Sequence, residues 1–276
     1  MKTRLIPRQA GVTLIELLVG LAIGLMTIAV ALGALLVSRG VSGTVSDASQ
    51  LQQQGAHALR VIGLQLRQAG SIRLNLAFAK EAPASAALVI DPADPVAFET
   101  GFNRATGALK SDANLPLQVG YQNYTEKVSF DSKAEQSLLA DCLGNKPSAT
   151  VIQSNFRLVK ANGATTGDLQ CAGSDGVART VVGNVADFQA RYVMQTLTAT
   201  GATVSRVPAS GVGTNWPAVV AVEVCLELVG EENIDTASAT YRPCGWTTGQ
   251  AETLMGSRMR MVFRNTFQLR TQGAAR

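Results

Sequence analysis

Residues 12 to 38 carry a single charged side chain, Glu16, and the stretch from Leu17 to Ser38 carries none. About 20 apolar residues are enough for a helix to cross a bilayer, so this segment reads as a transmembrane helix. A secretory signal places its small-residue cleavage junction after the apolar core. Here the small-residue junction, Gln9-Ala10-Gly11, precedes the core, and cleavage there would leave the helix on the mature chain. Lys2, Arg4 and Arg8 lie before the span, whereas only Arg39 and then Asp47 follow it closely. That bias keeps the short basic head in the cytoplasm and sends the remainder to the periplasm or beyond.

Glu16 needs a physical reason, because an acid within hydrocarbon costs roughly 2.5 to 3.5 kcal/mol on insertion scales. One reading is a carboxylate at the membrane interface, favoured by the positive end of the helix. The other is that cleavage after Gly11 creates a new amine on Val12 and that Glu16, one turn on, pairs with such an amine on an adjacent subunit. A buried acid is costly while unpaired, and assembly would supply its partner.

The stretch Gly11-Val12-Thr13-Leu14-Ile15-Glu16-Leu17-Leu18-Val19 resembles the leader junction and first helix of type IV pilins and related pseudopilins. The resemblance implies that Gly11 is the residue before the cut, Val12 the N-methylated new terminus and Glu16 the intersubunit acid. This chain departs from the family at Val12, where Phe or Met is more usual. The resemblance also implies processing by a prepilin peptidase, passage through an inner-membrane assembly platform and a final place in a pilus.

Beyond the span, Leu51, Gly55, Ala58, Ile62, Leu66 and Ala69 recur every three or four residues, with Gln52, Gln53, Arg60 and Arg67 elsewhere. This is the period of an amphipathic helix. Gly70 is its terminator, and a helix from Val12 to Ala69 would be roughly 87 Å long. Gly33, Gly40 and Gly43 lower helix propensity, so the helix is expected to bend or loosen around residues 39 to 47.

Residues 80 to 118 are rich in Pro, Gly and Asp and read as loops, with a short strand at Ala87 to Ile90. Asn155 to Lys160 and Asp168 to Cys171 flank Ala161-Asn162-Gly163 and form an expected hairpin. Val185 to Met194 alternates as a strand. In the next strand Val220, Val222, Val224, Leu226 and Leu228 oppose Glu223, Cys225 and Glu227, one buried face against one polar face. In the last, Met259, Met261, Phe263, Phe267 and Leu269 oppose Arg258, Arg260, Arg264, Gln268 and Arg270, whose arginines read as a solvated face. One long helix followed by several antiparallel strands gives an α+β fold. The expected organisation is a leader at 1–11, a transmembrane or filament-core helix at 12–38, its amphipathic continuation at 39–70 and a β-rich head at 71–276.

The head is similar, less specifically than the leader, to minor pilins of the PilW family of type IV pilus assembly proteins. The similarity rests on Leu66-Arg67-Gln68-Ala69-Gly70, Asp141-Cys142-Leu143-Gly144, Leu169-Gln170-Cys171 and the strand beginning Asn215-Trp216, and is thin from 75 to 135. It implies a low-abundance subunit that helps start pilus assembly with other minor pilins, the major pilin and sometimes a tip adhesin.

The four cysteines, Cys142, Cys171, Cys225 and Cys244, all fall in the part placed outside the cytoplasm, where disulfides are permitted. Of three connectivities, the sequence-local one is favoured, Cys142 with Cys171 and Cys225 with Cys244, each contributing about 3 kcal/mol in the chain-entropy picture. There is no Cys-x-x-Cys pair, and the one histidine, His57, lies on the helix, so a zinc site and a histidine-based triad lack their parts.

Asp91 with Asp94 and Glu231 with Glu232 sit in polar stretches and read as solvated loops rather than an acid–base pair. Gly211-Val212-Gly213 lacks a third glycine for dinucleotide binding, and Gly173-Ser174-Asp175-Gly176 offers too few oxygens for calcium and reads as a turn. Asn123-Tyr124-Thr125 matches a glycosylation acceptor only by a short pattern. Trp216 and Trp246 are candidates for a recognition surface or for packing beside the Cys225 disulfide.

Losing Lys2, Arg4 and Arg8 from 24 basic side chains leaves them nearly balanced against 20 acidic ones, so no general nucleic-acid patch follows. The expectation is a structural subunit without enzymatic activity or cofactor. The rival readings are a pseudopilin of a type II secretion system and a membrane-anchored adhesive or binding module.

Overall fold

The computed structural model describes residues 11–76, 96–99, 102–112, 115–129, 134–198, 201–234, 236 and 238–270. The leader before Gly11, the strand expected at Ala87 to Ile90 and the pair Asp91 and Asp94 lie outside them. In chain order the elements are α1 (Leu14–Gln68), β1 (Arg73–Leu76), β2 (Val96–Glu99), α2 (Arg104–Gly107), β3 (Leu109–Lys110), β4 (Leu117–Gln122), β5 (Thr125–Lys127), β6 (Glu135–Ser137), β7 (Val151–Val159), β8 (Gly167–Ala172), β9 (Ala178–Thr198), β10 (Gly201–Val207), α3 (Ala209–Val212), β11 (Val219–Asn233), β12 (Thr240–Tyr241), β13 (Thr253–Leu254) and β14 (Arg258–Gln268).

The main sheet is antiparallel, in the order β14-β11-β9-β8-β7-β4-β3, with β10 added to the end of β9. The hairpin expected around Ala161-Asn162-Gly163 is β7 and β8, with Gly163 at a φ of 77° in the turn. The strand expected at Val185 to Met194 is longer, covering 21 residues as β9. Asn184 in β9 adopts a φ of 55°, close to the points where its registers with β8 and β11 shift. Asn is among the few side chains that tolerate this conformation.

α1 runs as one continuous helix through residues 39 to 47, so the glycines there do not interrupt it. A helical glycine costs only about 1 kcal/mol against Ala, and just beyond Gly43 the helix is held to the head at Asp47. From there Leu51, Ala58, Ile62, Leu66 and Ala69 are buried in the core. Gly55 and Gly63 let the helix approach the sheet closely: a Cβ at Gly55 would come within 2.6 Å of the Phe263 ring, and one at Gly63 would overlap Phe267.

The opposite face of β11 and β14 differs from the sequence expectation. Glu223, Cys225 and Glu227 do not form an open polar face: Glu223 pairs with Arg206 of β10, and the segment between β11 and β14 folds back over Cys225 and Glu227. Cys225 is bonded to Cys244 in that segment. Glu227 is 3% exposed and accepts hydrogen bonds from the Tyr241 hydroxyl at 2.7 Å and from Arg260 at 2.8 Å. Arg264 reaches the carbonyls of Pro243 and Cys244. Of the arginines expected on a solvated face, Arg258 and Arg270 are exposed and Arg260 is largely engaged. Trp216, half-buried against the core, packs edge-on against Tyr192, and Trp246 is stacked by Arg242.

Candidate assembly interface

The first turns of α1 stand clear of the head. Gly11, Val12 and Thr13 are exposed and non-helical, and Thr13 is the N-cap, its Oγ1 accepting from the Glu16 amide at 3.4 Å. A threonine is a favoured residue at this position because its oxygen satisfies an otherwise orphaned helical N–H. Glu16 lies in the first turn, where the helix end favours a negative charge. The following surface is apolar throughout. Leu14–Leu35 is long and apolar enough to cross a membrane, and none of it is buried against the head. A chain alone in water would not leave such a surface uncovered, and its cover must be lipid or other chains.

Asp47 marks where this free surface ends. Its residue is 4% exposed, and its Oδ1 accepts from the Glu231 amide at 3.1 Å. Gly230 passes directly beneath the carboxylate, leaving no room for a Cβ. Sequence reading did not single out Asp47, although it falls in phase with Leu51, Gly55, Ala58 and Ile62, so the helical period carried the signal.

At the other end of α1, Gln65 is the hub of a buried polar group. The Tyr121 hydroxyl lies 2.8 Å from Gln65 Oε1 and 2.7 Å from the Ala140 carbonyl, and Ser154 Oγ donates to Gln65 Oε1 at 2.9 Å. Burial raises the Tyr121 pKa, helped by the nearby Asp141 charge and opposed by the bond to Gln65. Asp141 organises the adjoining loop by accepting from the amides of Leu143, Asn145 and Ser174, and Cys142 is joined to Cys171 in β8. No sequence period links residues 65, 121 and 154, so this cluster was invisible before the fold was known.

The other candidates are placed apart from these. His57 is exposed on α1, and Glu231 accepts from Asn184 Nδ2 at 2.9 Å. Gly173 to Gly176 form a turn, with Asp175 paired to Arg179. Asn123 is buried, and its Nδ2 donates to the carbonyls of Pro147 and Ala149, so the nitrogen a glycan would need is committed. Among the described residues no group of three or more His, Cys, Asp or Glu side chains is placed to hold a metal ion.

Comparison with known proteins fits this division of the chain. Residues 6–32 match the prokaryotic N-terminal methylation motif. Residues 158–271, from the end of β7 to the end of β14, match the family described as type IV pilus-assembly protein W. Among solved structures, a type IV-like pilin from Thermus thermophilus aligns with 81% of this chain and 98% of its own, at 11% identity and a TM-score of 0.37. No curated protein matches the chain in sequence. The methylation motif thus lies on the exposed helix and the second match runs across the core of the sheet, so the chain is similar at both ends to type IV pilus proteins and carries both matches on an α+β fold.

Proposed function

We propose that this protein is a minor pilin that helps initiate type IV pilus assembly and is built into the filament. The observation that carries the reading is the exposed apolar half of α1, which carries one carboxylate in its first turn and is preceded by an exposed, non-helical Gly11-Val12 junction. In this reading a prepilin peptidase removes residues 1–11 and Val12 becomes the N-methylated terminus. Residues 12–38 hold the subunit in the inner membrane and later in the filament core. Residues 39–70 carry the head, 71–276, which waits in the periplasm and then stands on the pilus surface.

Transfer from lipid to a bundle of like helices gains little from hydrophobicity, because lipid is as apolar as leucine, so packing and polar pairing select the register. Glu16 supplies that selection by pairing with the Val12 amine of a neighbouring subunit. The partners are other minor pilins, the major pilin and the assembly platform, with work done by helix and head contacts rather than catalysis.

The test is Glu16→Ala in the full chain. Insertion and leader removal are expected to stay intact, while the amount recovered in sheared filaments falls by about a hundredfold, corresponding to roughly 3 kcal/mol for a lost buried pair. Normal recovery in filaments would refute the role of Glu16. A wild-type chain purified from peptidase-positive cells and still beginning at Met1 would refute the pilin reading itself.

A further inference from the structure

The head has an open strand edge at the outer side of β14. This strand ends the main sheet, and among the described residues no strand pairs with its other side. The Leu269 amide donates to Val220 in β11 at 2.9 Å, and the register from Arg260 to Gln268 has no bulge. Antiparallel alternation therefore turns the main-chain groups of Arg264, Thr266 and Gln268 outward. The Thr266 amide is met by the side-chain oxygen of its own neighbour, Asn265, at 2.8 Å.

Beside this edge runs a groove of about 530 Å³ between β14 and α1, floored by Ala56, Leu59, Gly63 and Leu64 and continued along β14 towards Arg270. Leu64 is 47% exposed although it lies on the half of the helix that packs on the head. The charged side chains lining the groove and its continuation are Arg60, Arg67 and Arg270, with no acid among them.

Charges on an edge strand are a common guard against unwanted pairing, but Arg60 and Arg67 belong to the helix and guard no edge. An open strand edge beside an apolar floor and three guanidinium groups fits an extended peptide that carries carboxylates. Strand addition uses the main-chain groups, and the side-chain pockets supply selectivity. Tight nucleic-acid binding by charge needs many more phosphate contacts than three arginines provide, and a phosphate backbone has no use for a strand edge.

We propose that the groove between α1 and β14 binds an acidic extended segment of a neighbouring pilin-like subunit by strand addition, with Arg60, Arg67 and Arg270 pairing its carboxylates. This rests on the reading of the chain as a filament subunit, because it places a head contact on the same helix whose apolar half enters the filament core.

The test places a photo-crosslinking phenylalanine analogue at Leu64 of the full chain in cells, with and without Arg60→Glu and Arg67→Glu, and follows filament incorporation in parallel. The proposal expects a crosslink to an acidic segment of a second protein bearing an N-terminal methylation motif, reduced at least tenfold by the charge reversal. The reversed side chains are exposed, so membrane levels of the variant should match wild type. A crosslink unchanged by charge reversal, a crosslink to nucleic acid, or no crosslink from a chain that enters filaments normally overturns the groove proposal and leaves the pilin reading standing. A wild-type chain absent from filaments overturns both.

Discussion

Glu227 shows how little a residue's place in an alternating pattern says about its surroundings. It sits where the parity of β11 predicts a polar outer face, yet its side chain is 5% exposed beside Arg260 at 2.8 Å. A buried carboxylate is costly unless pairing and hydrogen bonds offset its desolvation, and here Arg260 and Tyr241 supply them. The same contact acts on Tyr241, whose pKa is raised by burial and then by the adjacent Glu227. Glu227→Ala is therefore expected to cost about 3 kcal/mol, because Arg260 loses its counter-charge in a half-buried site. Asp175→Ala removes the pair with Arg179, in which both side chains are substantially exposed, and should cost no more than about 1 kcal/mol. Urea denaturation midpoints of the oxidised protein in detergent check both, and equal effects would contradict the buried assignment.

For whole elements, the contact of α1 with the sheet depends on the absence of side chains at two helical positions. Gly63 faces the buried Phe267 ring, so Gly63→Ala gains up to about 1 kcal/mol in helix propensity and loses about 1 to 3 kcal/mol to overpacking. A net loss of stability is expected, measured as a lower denaturation midpoint. Gly33→Ala, with open space around it, should leave the head's midpoint unchanged. The sequence carried α1, β7, β8, β9, β11 and β14 clearly because each runs long enough for its period to repeat. It did not carry β3, β5, β6, β12 or β13, of two or three residues each, since so short a run shows no period. Nor did it show β10, whose residues are almost all exposed and so have no apolar face to alternate. The methylation motif and the apolar span were legible for the opposite reason, because crossing a membrane is a constraint on consecutive residues. The Gln65, Tyr121 and Ser154 cluster and the groove beside β14 arise only when distant segments meet, and parity cannot tell solvent from a covering loop.

Across the molecule, the head is fastened by two disulfides and by buried phenols that join separate parts of the chain. Tyr121 in β4 ties α1 to the loop containing Asp141. Tyr192 in β9 reaches the carbonyl of Pro116 at 2.9 Å, linking the middle of the sheet to the approach to β4. Burial pushes the Tyr192 pKa up to about 12, opposed by hydrogen bonding with Ser111, and raises that of Tyr121 as well. Both groups are thus held neutral in the folded state at a pH where the unfolded chain, with phenols near 10, has begun to release protons. Between pH 10 and about 12 the unfolded state binds fewer protons than the folded one, so stability falls as pH rises. A shift of about two units at Tyr192 corresponds to a loss of roughly 2 to 3 kcal/mol across that window. All four cysteines are in disulfides, so no internal thiolate starts exchange in the same range. Tyr192→Phe should lower stability near pH 7 by about 1 kcal/mol through the missing hydrogen bond and flatten the decline above pH 10. Denaturation midpoints measured from pH 8 to 11.5 check this, and a variant that declines as steeply as wild type would remove Tyr192 as the source. Such a fall would come from the head alone, because the apolar half of α1 carries no phenol and only one carboxylate. The anchoring helix should therefore stay in the membrane fraction at a pH where the head has already opened.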